Sequence, residues 1–199
     1  MSTLGMQPQQ TLFYEGDPAE FLFNVTGGMI RVHKLLADGR RQVTGFLYPG
    51  DFVGLAVHDN YAYTAETVVA TSVCRFPRTK LHALMREMPH LENRMLSMAS
   101  NELIEAQDQM LLLGRKTAQE KIASFLLMIS RRAGRRGQPD NPIHLPMGRT
   151  DIADFLGLTT ETVSRVFTQL KTSGAIRLLD NSRVQLSDMR ALGATAQGS

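Results

Sequence analysis

The stretch Arg149 to Thr172, RTDIADFLGLTTETVSRVFTQLKT, constrains the fold more than any other part of the chain. Ile152, Ala153 and Leu156 follow helical spacing up to Gly157 and Leu158, and Val163, Val166, Phe167 and Leu170 resume it afterwards. The pattern predicts two short helices packed around a turn, with Ala153 small enough for close approach and Gly157 able to take a positive φ. Thr160, Glu161, Ser164 and Arg165 are left on the outer side of the second helix. In a helix-turn-helix that part of the helix reaches base edges. Arginine can donate twice to guanine O6 and N7, and glutamate can accept from the cytosine amine, so the set is expected to read a G·C pair and its neighbour. Glu161 and Arg165 also stand at i and i+4, the spacing of a plain surface ion pair.

What flanks this unit is consistent with it. After Ser173-Gly174, AIRLL (175–179) and RVQLS (183–187) alternate across the turn DNS (180–182), as a hairpin does. A hairpin behind such a helix pair is a wing, and the residues from about Ala191 onward are expected to fray. Before it, Arg115 to Arg132 reads as an amphipathic helix with Ala118, Ile122, Phe125, Leu126 and Ile129 inward, following a break at Gly114. Ala133 to Pro142, AGRRGQPDNP, reads as an exposed loop. Arg131, Arg132, Arg135 and Arg136 are expected as solvated helix-end and loop charges.

The first part of the chain follows a different rule. Over residues 11 to 80, short apolar runs alternate with turn signals such as Tyr14-Glu15-Gly16-Asp17-Pro18, Gly27-Gly28, Ala37-Asp38-Gly39 and Tyr48-Pro49-Gly50-Asp51. The runs LFNV (22–25), MIRVHKLL (29–36), QVTGFLY (42–48) and ETVVATSVCRF (66–76) predict a roll or barrel, not a parallel sheet. Pro77 to Met88 predicts a short helix carrying Leu81, Leu84 and Met85.

A long helix is expected after Pro89. Leu96, Leu103 and Met110 recur every seven residues in it, with Ala99, Ala106 and Leu113 at the intervening apolar positions. Such a seam fits a second, parallel copy of the helix. Ile104, Leu111 and Leu112 supply a second apolar face, expected to pack on the chain's own roll.

Charge separates the two parts. Residues 1–114 carry 9 Lys and Arg against 12 Asp and Glu, and residues 115–199 carry 13 against 7. A basic C-terminal part suits a polyanion through counterion release. Cys74 is the only cysteine, which excludes an intrachain disulfide or a multi-cysteine metal cluster made by this chain alone. It is expected as a buried core thiol. His33, His58, His82, His90 and His144 show no metal-ligand pairing, so a metal-dependent β-barrel enzyme is not expected. No run is apolar for the roughly 18 residues that span a bilayer, and Met1 to Gln10 lacks signal-peptide features, so a cytoplasmic location is expected.

The segment GRTDIADFLGLTTETVSRVF, followed by LKTSGAI, resembles the helix-turn-helix of the CRP/FNR superfamily of bacterial transcription regulators. FYEGDPAEFLFNVTGGMIRVHKLLADGRRQVTGFLYPGDFVG and MLLLGRKTAQEKIASFLLMISRR are similar to its FNR and FixK branches. The resemblance implies an α+β chain: an N-terminal β-roll of cyclic-nucleotide-binding type over 1–88, a dimerisation helix over 89–114, and a winged helix-turn-helix over 115–199. It further implies a homodimer on double-stranded DNA, acting as an activator through contacts with RNA polymerase from roll loops such as Ala37 to Gln42. In those branches the reading helix carries E-x-x-S-R, matched here by Glu161, Ser164 and Arg165, and the implied site resembles TTGAT-N4-ATCAA. Arg149, Thr150, Thr159 and Thr162 fall where relatives contact phosphates, while Thr160 sits where members vary.

Two departures concern sensing. The cyclic-nucleotide branch holds ribose and phosphate through a Glu and an Arg-Ser pair, where this chain has Leu55 and Tyr63-Thr64. The oxygen-sensing branch binds a [4Fe-4S] cluster through four cysteines, of which Cys74 matches one. No cofactor is therefore expected. The resemblance leaves two readings: a FixK-like regulator without a cofactor, or a shortened relative whose DNA binding is conditional on oxygen, redox state or a ligand through Cys74. Some relatives carry an acid at the position of Ala106, where repulsion makes dimerisation conditional; Ala106 removes it.

Overall fold

The computed structural model describes residues 2–55 and 59–198, with 82–86, 89 and 92 described in their backbone course alone. His58 and the side chains of His82, Leu84 and Met85 lie outside the described residues. The chain forms two compact units, 1–104 and 105–199, whose boundary falls inside one long helix.

The first unit is an antiparallel β-roll. Its strands are β1 (Ser2–Met6), β2 (Thr11–Phe13), β3 (Phe21–Gly27), β4 (Ile30–Leu35), β5 (Arg41–Leu47), β6 (Phe52–Val53), β7 (Thr64–Thr67) and β8 (Thr71–Pro77). They form two four-stranded sheets, ordered β1-β8-β3-β6 and β2-β7-β4-β5. Alternate residues such as Phe23 and Val25, Ile30 and Val32, with Val53, Ala65 and Val73, point between the sheets and make one buried cluster with Phe13 and Tyr61. The tight turn from β3 to β4 needs glycine: Gly28 has φ +82°, and a Cβ there would stand 2.4 Å from the Ala70 carbonyl oxygen.

Some boundaries differ from the sequence expectation. β1 lies before the region expected as sheet, and it is held as an edge strand by pairing with β8 from Ser2↔Arg75 to Met6↔Thr71. The run ETVVATSVCRF is two strands, because Val68 to Ala70 turn the chain from one sheet to the other.

Helix α1 (Arg78–Glu87) follows β8, and α2 (Pro89–Arg115) is the long helix. It passes through Gly114 without a break. The end comes at Lys116, because Thr117 caps the next helix, α3 (Ala118–Arg135), in a capping box with Glu120. Among the described residues of α2, Met95 and Leu112 are the buried apolar ones, whereas Leu96, Leu103, Ile104, Met110 and Leu111 are more than half exposed. Ile104 and Leu111, expected as part of a second apolar face, are exposed.

In the second unit α3 is followed by β9 (Ile143–His144), α4 (Arg149–Leu156), α5 (Thr160–Thr172), β10 (Ile176–Leu178), β11 (Arg183–Leu186) and α6 (Met189–Gln197). The strands form one small sheet ordered β10-β11-β9. Ile122, Phe125, Leu126 and Ile129 of α3 are buried as expected. α3 runs on to Arg135, so the loop after it is shorter than Ala133 to Pro142.

The C-terminal residues are helical, not frayed. Asp188 accepts from the Ala191 amide at the start of α6, and Leu192 and Ala196, one turn apart, are buried. Lys116 ties down the far end, its Nζ donating to the Ala196 carbonyl at 2.8 Å and to Ser124 Oγ at 2.7 Å.

Candidate nucleic-acid interface

Every apolar residue of the opening pattern is buried: Ile152, Ala153 and Leu156 on α4, Val163, Val166, Phe167 and Leu170 on α5. Gly157 ends α4 in the left-handed region, φ 61° and ψ 46°, with its amide donating to the Ala153 carbonyl. Thr159 then caps α5 by accepting from the Thr162 amide at 3.2 Å, a cap of the kind that contributes about 1 kcal/mol. The two caps sit two residues apart and leave Leu158 as the whole turn.

This geometry sets which side chains face outward. Glu161, Ser164 and Arg165 are exposed on the first turns of α5, and Thr160 is half-buried beside them. Among the described residues no ion pair joins Glu161 to Arg165. Glu161's own amide at the helix N-terminus, and then the Thr159 hydroxyl, hold its carboxyl below the usual carboxylate range. Glu161 therefore presents an ionised acceptor, and Arg165 a free planar donor.

The four expected phosphate contacts are placed unequally. Thr150 and Thr159 are exposed, Thr162 is half-buried, and the Thr159 and Thr162 hydroxyls stand 3.1 Å apart. Arg149 is half-buried, with its Cζ 3.4 Å from the centre of the Phe167 ring. Burial lowers its pKa. The stack uses the guanidinium face and leaves the N–H groups at its edge to donate.

The wing adds charges that the sequence reading did not assign. Arg177 of β10 donates to Gln185 of β11 at 2.6 Å, and Arg183 pairs with Asp180 at 2.7 Å at the wing tip. The Arg183 guanidinium and then the Ser182 amide hold the Asp180 carboxyl well below the usual range. Alternation of charged residues along a predicted hairpin was the available signal.

A helix pair backed by a three-stranded wing, with its polar side chains outward, is a winged helix-turn-helix DNA-binding domain. Residues 120–195 match the Crp-like helix-turn-helix domain, and residues 5–88 match the cyclic nucleotide-binding domain. The chain is 42% identical over 189 residues to the transcriptional activatory protein AadR of Rhodopseudomonas palustris, covering 95% of this chain and 79% of that protein. It is 43% identical over 183 residues to the nitrogen fixation regulation protein FixK of Bradyrhizobium diazoefficiens, covering 88% and 77%. The solved structure of FixK2 from Bradyrhizobium japonicum superposes with a TM-score of 0.91 at 36% identity, covering 98% of this chain and 96% of that one. The chain belongs to the CRP/FNR family of transcription regulators, whose matching members are regulators and not enzymes.

The roll lacks the Glu and the Arg-Ser pair expected of a chain that holds the cyclic nucleotide its fold is named for, with Leu55 and Tyr63-Thr64 in their place. Between its sheets Phe13 stacks on Tyr61 at 3.6 Å and lies 5.9 Å from both Phe23 and Tyr63. The Tyr63 hydroxyl already accepts the Gly54 amide at 3.1 Å. An anionic phosphate buried there would need a cation, and Arg75, beside these rings, already stacks on Phe21 at 4.4 Å. Nor does the roll fit an iron–sulfur cluster. Cys74 is half-buried on β8, paired across strands with Thr3 and Asn24, its Sγ 3.8 Å from Thr3 Oγ1. Among the described residues no group of His, Cys, Asp and Glu is arranged to hold a metal ion, and no helix is long and apolar enough to cross a membrane.

Tyr63 allows a solution test of this packed interior. Burial pushes its pKa up to about 12, against 10.0 for a free tyrosine. The fold thus favours the neutral phenol. That contribution to stability is complete below about pH 10 and is lost as the pH rises through the folded value. Absorbance titration is expected to show a late tyrosinate step that Tyr63→Phe removes. A chain whose tyrosines all ionise together near the free value would contradict the packing.

Proposed function

We propose that this chain is a homodimeric, sequence-specific transcription activator that reads a palindrome resembling TTGAT-N4-ATCAA. The observation that carries the reading is the exposed trio Glu161, Ser164 and Arg165 on the reading helix, in the E-x-x-S-R order of FNR and FixK relatives. Arg165 donates to guanine, Glu161 accepts from the cytosine amine, and Ser164 and Thr160 adjust the fit to neighbouring bases. Thr150, Thr159 and Thr162 hold phosphates, and Arg149 adds its edge donors from the face of Phe167. The names of AadR and FixK as activatory and regulatory proteins support activation.

Dimerisation is supported by the outer stripe of α2. Leu96, Leu103 and Met110 are 67%, 61% and 71% exposed, and Ala99 and Ala106 lie exposed between them. A row of large apolar side chains at heptad spacing, left in water along one helix, is what a second copy would cover. Leu113, at the end of the row, is half-buried and shared with the Gly157 turn. Two reading helices related by the dyad would enter successive major grooves about 34 Å apart.

RNA polymerase is the proposed second partner, met through the β4–β5 hairpin. Leu35 and Leu36 are exposed there beside the Asp38–Arg40 ion pair. Footprinting on the palindrome tests dimer, spacing and base reading together. Protection of both half-sites, unchanged by Cys74→Ser, by reductant or by iron, is the expected outcome. Protection that requires Cys74 would favour a conditional sensor instead.

A further inference from the structure

One stripe of α2, which meets the proposed seam only at Leu113, holds the DNA-binding unit. Glu105 pairs with Arg132 of α3. One turn on, Gln109 donates from Nε2 to the Phe155 carbonyl at 2.7 Å. A further turn on, Leu113 Cδ2 lies 3.4 Å from where a Cβ on Gly157 would stand. The three positions follow i, i+4, i+8 spacing and so share one face of the helix.

The middle contact serves a need set by backbone chemistry. The last carbonyls of a helix have no partner within it. At the end of α4 the amides of both Gly157 and Leu158 go to the Ala153 carbonyl. The Phe155 carbonyl is met by Gln109, a residue 46 positions away in sequence. The same two turns of α2 carry Ala106 and Met110, exposed on the other side.

We infer that Gln109 is a positioning residue: its hydrogen bond to Phe155 fastens the DNA-reading unit to the dimer seam and so sets the spacing between half-sites that the dimer accepts. This rests on the dimeric, palindrome-reading function proposed above. Glu105 and Leu113 hold the neighbouring parts of the unit, and Gln109 donates from α2 to the backbone of α4 at its junction with the turn. Without it, each reading helix keeps its own side chains and its own affinity for a half-site. What changes is the angle at which two of them can be presented together.

The test uses the full chain, wild type and Gln109→Met, which keeps the unbranched shape and removes the donor. Affinity is measured on three DNAs: the palindrome with its four-base spacer, the same with one base pair inserted, and an isolated half-site. The wild type is expected to prefer the four-base spacer. In Gln109→Met that preference should fall about 3- to 10-fold, the weight of one hydrogen bond, while half-site affinity stays within about 2-fold. A preference that Gln109→Met retains overturns the assignment, as does an equal loss on all three DNAs, which marks a purely structural role. Should Gln109→Met not fold, Gln109→Ala in the same series decides. A wild-type chain that is monomeric, or that ignores the palindrome, overturns the dimer reading and this inference together.

Discussion

Leu103→Glu is expected to convert the protein to a monomer and to weaken palindrome binding by about 10²- to 10⁴-fold, the advantage that two linked sites hold over one. Leu103 is 61% exposed in the single chain, so the substitution removes little packing within one copy. Across a parallel seam the same residue from each helix meets near the dyad, and two carboxylates would face each other in an apolar contact. Neither charge would have a partner there, and an unpaired charge is costly to remove from water. Asn101→Glu, on the outward side of the same turn, is the control and should remain dimeric. Sedimentation at micromolar concentration, with the melting temperature measured in parallel, separates loss of association from loss of fold. A dimeric Leu103→Glu would remove this stripe as the seam.

Arg165→Ala is expected to cost about 1 to 3 kcal/mol on the palindrome and to relax preference at the guanine it reads. The reason is geometric. Arg165 stands exposed on α5 with its guanidinium unpaired to Glu161, so its fork is available for two parallel donations to one base. Arg149→Ala should behave differently, weakening specific and random DNA by similar factors. It should also lower the melting temperature, since its stack on buried Phe167 joins α4 to α5. Competition binding against every base at the guanine position distinguishes the two. An equal loss on palindrome and random DNA for Arg165→Ala would show that it holds backbone phosphate and reads no base.

The parts of the site that were legible in the chain are those that depend on local periodicity. Apolar spacing across Gly157 placed seven of the buried residues of the helix pair, though not Phe155 or Asp151, because a helix needs one apolar stripe wherever it packs. Alternation on either side of Asp180-Asn181-Ser182 placed the hairpin, because a pleated strand turns every second side chain inward. The missed elements had little period to show. β9 is two residues long and exists only by pairing with β11. In α6 the pattern reduces to Leu192 and Ala196, and the seat that orders them comes from distant residues such as Lys116.

α2 marks the division most clearly. Its sequence determined a long helix with apolar residues on more than one side, since heptad spacing and helical propensity are properties of neighbours along the chain. Which side would be covered was not among those properties. Ile104 and Leu111 stand exposed, Leu112 is buried, and Gln109, a polar residue with no motif of its own, donates to a carbonyl at the end of α4. The opening stretch divides in the same way. The spacing around Gly157 determined a helix pair with Glu161, Ser164 and Arg165 outward. Only the tertiary structure decided that Arg149 lies on Phe167 and that α2 grips the turn, because those contacts join residues that no local pattern relates.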